Sequence, residues 1–519
     1  MIKRLIILVM MSLSVINGYK ILFLSPLPGK SHGILGDGIV KNLAKAGHEV
    51  TYIAGVIPSE TIPGVRVIDV SNNKEFLDSD GVMNIKRIMD KTVKLHIFTM
   101  LPMMMNMSRR TIGNPEVQNL MADKNENFDV IILEWMFSEV YAGFAGVFNC
   151  PLIWFSTVEP HWMVLQLIDE VPNSAYTTDI KSGNLPPLNF LQRVWELGSQ
   201  IMGKLFQKLI VTSYEEEIYM DLFVPHIRNR GLQVPSFDSL RYNASLILSN
   251  SHVSMGIVIR LPPNFIPIGG YHIDAVVKPL PQDLQTLMDS AKYGVIYFSM
   301  GSNFKSKHFP DEVKQDLLKV FGELKETVLW KFEEDLPNRP SNVHIVQWAP
   351  QQSILAHNNC ILFISHGGLL STTETIHFGV PVIGIPVGAD QFVNVARNVQ
   401  KGFAKKVDLS YDMANDLKLV IKDILSDNRY KNKVKELSLI YHDRSVHPSK
   451  DLVHWVEHVV KTGGASHLRH PALLMPWYQK LYLDLVLVII GMLVVLGYLF
   501  RYICGLICKK KISSSKKRN

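Results

Sequence analysis

Short runs in which almost every position is apolar alternate along the chain with longer stretches whose apolar residues recur every three or four places. KILFLS (20–25), EVTYIA (49–54), FDVIIL (128–133) and PLIWFS (151–156) form a first set of runs. GVIYFS (294–299), TVLWKF (327–332), VHIVQW (343–348), ILFIS (361–365) and VPVIGIP (380–386) form a second. Runs without polar alternation predict parallel strands covered on both faces. GILGDGIVKNLAKAG (33–47) predicts a helix closed at Gly47, where glycine accepts the left-handed cap. PDEVKQDLLKVFGELKE (310–326) predicts a second, with Val313, Leu317, Phe321 and Leu324 on one face and Pro310 in its first turn. Each half thus predicts a doubly wound α/β domain. GGYHIDAVVKPLPQDL (269–284) reads as the connector. Residues 160–245 mix helix-like and turn-like pieces and predict no arrangement. LHIFTMLPMMMNM (95–107) is apolar enough to be core, an acceptor-pocket wall or a membrane contact, with core the expected reading.

The two ends follow a different pattern. MIKRLIILVMMSLSVING (1–18) places Lys3 and Arg4 before the apolar stretch Leu5 to Met11 and ends in the small Gly18, the order of a secretory signal peptide. LVLVIIGMLVVLGYLF (485–500) is uncharged, and with Arg501 snorkelling the apolar segment extends to Cys508, long enough for a membrane helix. Lys509, Lys510, Lys511, Lys516, Lys517 and Arg518 follow it, predicting a cytosolic tail and a lumenal bulk. The lysines near the C-terminus resemble an endoplasmic-reticulum retrieval signal, so a single-pass type I protein of that membrane is expected. The net charge of +7 comes almost wholly from this tail. The body is near neutral, which argues against nucleic acid as a partner. The expected divisions are 1–18, 19–275, 276–445, 446–480 (a lumenal helical segment), 481–508 (transmembrane) and 509–519. Four cysteines make no disulfide framework, and Cys150 and Cys360 are expected to be small buried apolar residues. Asn106 and Asn243 each open an N-glycosylation sequon.

FISHGGLLSTTE (363–374) carries the chemistry. Two glycines after a strand and before a helix let a ligand approach the backbone, and a helix N-terminus favours phosphate. No Walker lysine and no GxGxxG pattern accompany them, which speaks against a P-loop or a dinucleotide fold. Around this stretch stand Trp348, Pro350, Gln351, His357, Phe363, His366-Gly367-Gly368, Ser371, Glu374, Gly379, Pro381, Pro386, Asp390-Gln391 and Asn394. Together they resemble the UDP-glycosyltransferase signature, and the wording GGLLSTTE is insect-like. The resemblance extends over nearly the whole chain.

That resemblance implies a GT-B fold, with residues 19–275 binding the acceptor and 276–445 the UDP-sugar. It implies that Trp348 stacks on uracil, Gln351 meets the base edge and Glu374 accepts from the ribose hydroxyls. His366, the Gly367 and Gly368 amides, Ser371 and Ser302 would hold the diphosphate, and Asp390 and Gln391 the sugar hydroxyls. Leu370 stands where many members carry an asparagine. His32, in the loop after the first strand, is the implied general base. Its orienting carboxylate would be Glu134, where the family usually has aspartate and where a small shift is needed to reach. Asp129 lies at the wrong end of the same strand. The implied reaction moves a hexose, with glucose expected, from the UDP-sugar to a hydroxyl of a small lipophilic acceptor with inversion. The UDP-sugar is a co-substrate, and no cofactor or metal is expected. A UDP-glucuronosyltransferase and a non-catalytic UDP-sugar-binding protein are the alternatives. Homo-oligomerisation is left open.

Overall fold

The structure is a computed structural model that describes residues 18–79, 83–93, 97–168, 173–179, 182–256, 258–469 and 475–516. The expected signal peptide, apart from Gly18, and the last three residues of the tail lie outside those residues. Two all-parallel sheets organise residues 18–468. The first holds β1 (Lys20–Ser25), β2 (Glu49–Ala54), β3 (Val65–Asp69), β4 (Val130–Trp135), β5 (Leu152–Ser156), β6 (Leu246–Ser249) and β7 (Phe265–Pro267), in the order β3-β2-β1-β4-β5-β6-β7. The second holds β8 (Val295–Ser299), β9 (Thr327–Lys331), β10 (Val343–Val346), β11 (Cys360–Ser365), β12 (Val382–Gly384) and β13 (Ala404–Lys406), in the order β10-β9-β8-β11-β12-β13.

The uninterrupted apolar runs have a direct cause. Along β1, Ile21 and Phe23 enter one core cluster, and Leu22 and Leu24 enter the cluster on the opposite face. Each sheet has a point where the chain changes direction of growth, between β1 and β4 in the first and between β8 and β11 in the second. Ligands of such sheets bind beyond the carboxyl ends of the strands at those points. His32 follows β1, Glu134 belongs to the end of β4, Ser302 follows β8 and His366 follows β11.

The helix expected from residue 33 starts earlier and spans Lys30–Lys45. His32 therefore sits in a helical first turn and not in a loop. The helix expected over 310–326 spans Asp311–Gly322, with Pro310 just before it, and Leu324 still packs on the core. Residues 97–112 form a helix whose Met103, Met104 and Met107 cluster with Leu27, so the core reading holds there. Before β6 the chain forms helices Phe190–Phe206, Thr212–Leu222, Val224–Asn229 and Phe237–Arg241. Beyond residue 445 it returns to the first sheet as helix Pro448–Lys461, burying Leu452, Val456 and Val459 among Ile21, Phe23 and Ile39.

Cys360 is buried and Cys150 only half-buried, a difference from the expectation for the latter. Burial pushes both thiols up to about 12, so neither is a ready nucleophile. Asn106 lies exposed inside a helix, with its sequon partner Ser108 buried, and Asn243 lies exposed in the turn before β6. Residues 469–519 form a separate unit. Within it, helix Leu483–Lys516 contains a 25-residue stretch, Leu483–Ile507, long and apolar enough to cross a membrane.

Candidate active site

A cleft of about 820 Å³ lies at the carboxyl ends of both sheets. Leu27, Lys30, His32, Met104, Trp135 and Met136 line it from the first sheet. Ser302, Trp348, Gln351, His366, Gly368, Ser371, Glu374, Asp390 and Gln391 line it from the second, so one space gathers all but one of the donor-side residues singled out above, together with His32. The exception is Gly367, which supports the turn from behind.

Glu134 is buried, and both its oxygens are engaged. Oε1 lies 2.5 Å from His32 Nδ1, and Oε2 accepts from the Ser25 hydroxyl at 2.6 Å. The longer glutamate therefore reaches the imidazole directly. Asp129 lies at the other end, accepting from the Lys20 amide at 2.7 Å. A carboxylate only accepts, so Nδ1 carries the imidazole proton and Nε2 is left as the basic nitrogen. Burial pulls the His32 pKa down, but the charge and hydrogen bond of Glu134, and then the charge of Asp390, lift it above its ordinary value. Asp390 stands on the second sheet's side, so that half of the cleft contributes to the electrostatics of His32.

The turns after β8 and β11 are built alike. The Ser299 hydroxyl accepts from the Gly301 amide, and the Ser365 hydroxyl from the Gly367 amide, both at 3.2 Å. Gly301 and Gly367 have φ of +83° and +82°. A Cβ on Gly301 would sit 2.6 Å from the His366 ring, and one on Gly367 would sit 2.3 Å from Val395. Glycine is required at both by conformation and by space. The Gly367 amide, expected to face a diphosphate, is thus already held by Ser365. The open donors lie one step on, where Gly368 precedes helix Leu369–Phe378 without a side-chain cap.

His366 is neutral near physiological pH, because burial, and then the charge of Lys331, lower it to about 4. Lys30, Lys41, Lys45, Lys278 and Lys331 line the cleft, and two of them touch residues of the site, Lys331 and Lys30. Lys331, at the end of β9, donates to the Gly301 carbonyl at 2.8 Å and to Glu333 at 3.0 Å. Lys30 starts the helix after β1, and its Nζ lies 4.0 Å from the Trp348 ring centroid. Both are basic residues at strand carboxyl ends, which is the signal that would have found them.

Trp348 is 53% exposed, an indole in the cleft and not in the core. Glu374 is buried and accepts from Gln351 at 2.6 Å and from Gln352 at 3.0 Å, and burial still raises its pKa to about 7. The Gln351 amide also donates to the Ser371 hydroxyl at 3.0 Å. Gln351 therefore fixes two neighbours and, in this arrangement, holds its NH2 away from a base edge. Asp390 accepts from Asn394 at 2.8 Å. The Gln391 oxygen accepts from the Val387 and Gly388 amides at 2.8 and 3.1 Å, leaving its NH2 for other partners. Leu370 packs on the first sheet's cluster, so the departure from asparagine gives an apolar contact between the halves.

The family model "UDP-glucoronosyl and UDP-glucosyl transferase" matches residues 23–518. UDP-glucosyltransferase 2 of Dactylopius coccus is 32% identical, over 99% of this chain and 98% of its own length. UDP-glucuronosyltransferase 3A1 of Bos taurus is 28% identical, over 94% of each. Among solved structures, a UDP-glucosyltransferase from Polygonum tinctorium superposes with a TM-score of 0.56 at 16% identity, covering 86% of this chain and 99% of that one. The calicheamicin glycosyltransferase CalG4 gives 0.53 at 14% identity with the same coverage. The chain belongs to the UDP-glucoronosyl and UDP-glucosyl transferase family and is a hexosyltransferase of the GT-B fold.

Proposed function

We propose that this enzyme transfers glucose from UDP-glucose to a hydroxyl of a small lipophilic acceptor, with inversion and without a metal. The observation that carries the proposal is the His32–Glu134 pair at the first sheet's switch point, sharing its cleft with the signature residues of the second. His32 Nε2 takes the acceptor proton as the oxygen attacks the anomeric carbon, and Glu134 stabilises the imidazolium that forms. UDP leaves from the opposite face, so an α-linked donor gives a β-glycoside. Charge growing on the diphosphate meets the free amides that open helix Leu369–Phe378, together with Lys331 and Lys30. The intact dyad favours catalysis over a binding-only role for this chain.

Arg397, the arginine nearest the signature, supports glucose over glucuronate. It is buried outside the cleft lining, close enough to Glu159 and Asp390 for its charge to act on both. The apolar wall of Leu27, Met104, Trp135, Met136 and Phe137 suits a lipophilic acceptor. A reticulum location with a lumenal bulk fits the C-terminal apolar helix and its basic tail. A donor panel with one phenol, run in EDTA, tests the reading. UDP-glucose is expected to be consumed at an undiminished rate. Turnover of UDP-glucuronate alone overturns the donor, and UDP binding with no transfer from any donor leaves a binding protein.

Glu374 makes donor binding pH-dependent. A carboxyl raised to about 7 holds its proton more tightly in the fold than in the open chain, so the ligand-free protein loses stability as pH climbs toward 7. An ionised carboxylate accepts from ribose hydroxyls more strongly than a neutral carboxyl does. UDP affinity should therefore rise with pH by up to roughly ten-fold per unit below that value, with uptake of UDP releasing protons. Calorimetry in buffers of differing ionisation enthalpy reads the release directly. A pH-independent affinity would remove Glu374 from the ribose.

A further inference from the structure

The connector between the two sheets brings a histidine to the cleft with no hydrogen bond to make. His272 lines the cleft, its side chain is wholly buried, and neither ring nitrogen has a hydrogen-bond partner among the described residues. Burial, and then the charge of His377, lower its pKa to about 3, so the ring is neutral, with one N–H and one lone pair. Two unpaired polar atoms in the interior cost stability, and such a group calls for a role beyond packing.

The surrounding backbone fixes where this ring stands. The Tyr271 hydroxyl donates to the Leu35 carbonyl at 2.9 Å, and Asn42 Nδ2 donates to the Tyr271 carbonyl at 3.1 Å. Both bonds tie the connector to helix Lys30–Lys45, which carries His32. Gly38 permits the close approach, since a Cβ there would sit 2.9 Å from the Tyr271 ring and 3.1 Å from His272 Cβ. From this seat His272 Nε2 stands 3.9 Å from Glu374 Oε1. That is about 1 Å beyond a hydrogen bond. Glu374 has room for one more donor: Oε2 accepts from Gln351 and Oε1 from Gln352, which leaves Oε1 a second lone pair. Tyr297 of β8 and Tyr441 of helix Asn428–His442 also feel the charge of Glu374, but burial keeps both hydroxyls protonated near neutrality.

We propose that His272 is a positioning residue of the donor site, donating from Nε2 to Glu374 Oε1 when that carboxylate takes the ribose hydroxyls of the UDP-sugar. The proposal rests on the reading of Glu374 as the ribose acceptor and adds the connector to the donor site. A carboxylate that has lost its proton accepts more strongly than a neutral carboxyl, so ribose binding and closure of the 3.9 Å gap favour each other. The same movement draws on the connector, and through Tyr271 and Asn42 on the helix of His32.

Calorimetry on the full chain in detergent micelles tests this, with UDP and 2′-deoxy-UDP titrated into the parent, His272→Phe, His272→Leu and His272→Gln. The parent should prefer UDP by about ten-fold. The Phe and Leu variants should bind UDP about ten-fold more weakly and lose most of that preference, with 2′-deoxy-UDP changed by less than about three-fold. Their Tm without nucleotide should match or exceed the parent's, because an unpaired buried ring has given way to an apolar side chain. His272→Gln keeps an N–H donor near the Nε2 position and should bring the preference back to within about three-fold of the parent. Unchanged UDP affinity in the apolar variants, equal losses for the two nucleotides, a lower Tm in both apolar variants, or a Gln variant no better than these would each overturn the proposal and make His272 a packing residue. A parent that binds both nucleotides equally removes Glu374 from the ribose, so the underlying reading falls and the proposal with it.

Discussion

His32→Ala should lower kcat by about 10²–10⁴-fold while leaving UDP affinity within about two-fold. The two halves of that result have separate physical origins. The acceptor hydroxyl is a weak nucleophile until its proton has somewhere to go, and in the proposed mechanism His32 Nε2 is the base that receives it. The ring's hydrogen bond is to the first sheet, through Glu134 on β4, so the second sheet loses no hydrogen bond in the variant, only the imidazole's charge near Asp390. The change has one structural cost. Glu134 keeps its Ser25 bond but loses its imidazole partner while fully buried. Single-turnover kinetics with UDP-glucose, set beside a UDP titration, separates binding from chemistry. Transfer within ten-fold of the parent enzyme would show that the proton leaves by another route. Loss of UDP binding in the same proportion would show that the residue shapes the donor site instead.

The parts of this molecule legible in its sequence are those where local pattern and global role agree. β1 and β2 begin and end where their apolar runs do, because each is central in its sheet and buried on both faces. The strands that went unnoticed are short or lie at the edges. β3 is half-exposed, β7 and β13 have three residues each, and β6 has four. The helices before β6 were opaque for a stronger reason. Phe190–Phe206 turns a glutamate and a glutamine inward and its large apolar residues outward, so the rule that places apolar residues inside misreads it. At the site, residue identities were legible from spacing, but their internal commitments were not. Glu374 is tied to Gln351 from 23 positions away, and the cation on Trp348 comes from the opposite sheet. Lys30 and Lys331 acquire a common purpose only when the two sheets face each other.

Substituting Glu134 should separate charge from reach. Glu134→Gln keeps the length of the side chain and its place between Ser25 and His32, but removes the negative charge. With that charge gone, burial, already the largest single influence on His32, is opposed chiefly by Asp390, and the imidazole falls from above its ordinary 6.5. A general base works in its neutral form, so kcat/KM of the parent enzyme rises with pH through the elevated His32 value. In Glu134→Gln the midpoint of that rise should move to lower pH. The plateau should fall by roughly 10²-fold, because the imidazolium formed during transfer loses its counter-charge. Glu134→Asp tests the opposite property. Aspartate is what the family resemblance leads one to expect at this place, yet here the backbone is set for the longer chain, with 2.5 Å to His32 and 2.6 Å to Ser25. Drawing the carboxylate back by about 1.5 Å breaks one of the two bonds while the charge remains. A loss of about ten-fold, with the pH midpoint still above that of Glu134→Gln, is expected. If Glu134→Gln keeps both the parent midpoint and its plateau, the carboxylate is structural and His32 takes its basicity from Asp390 alone. If Glu134→Asp is as slow as Glu134→Gln, position outweighs charge, and the glutamate is the residue this backbone was built around.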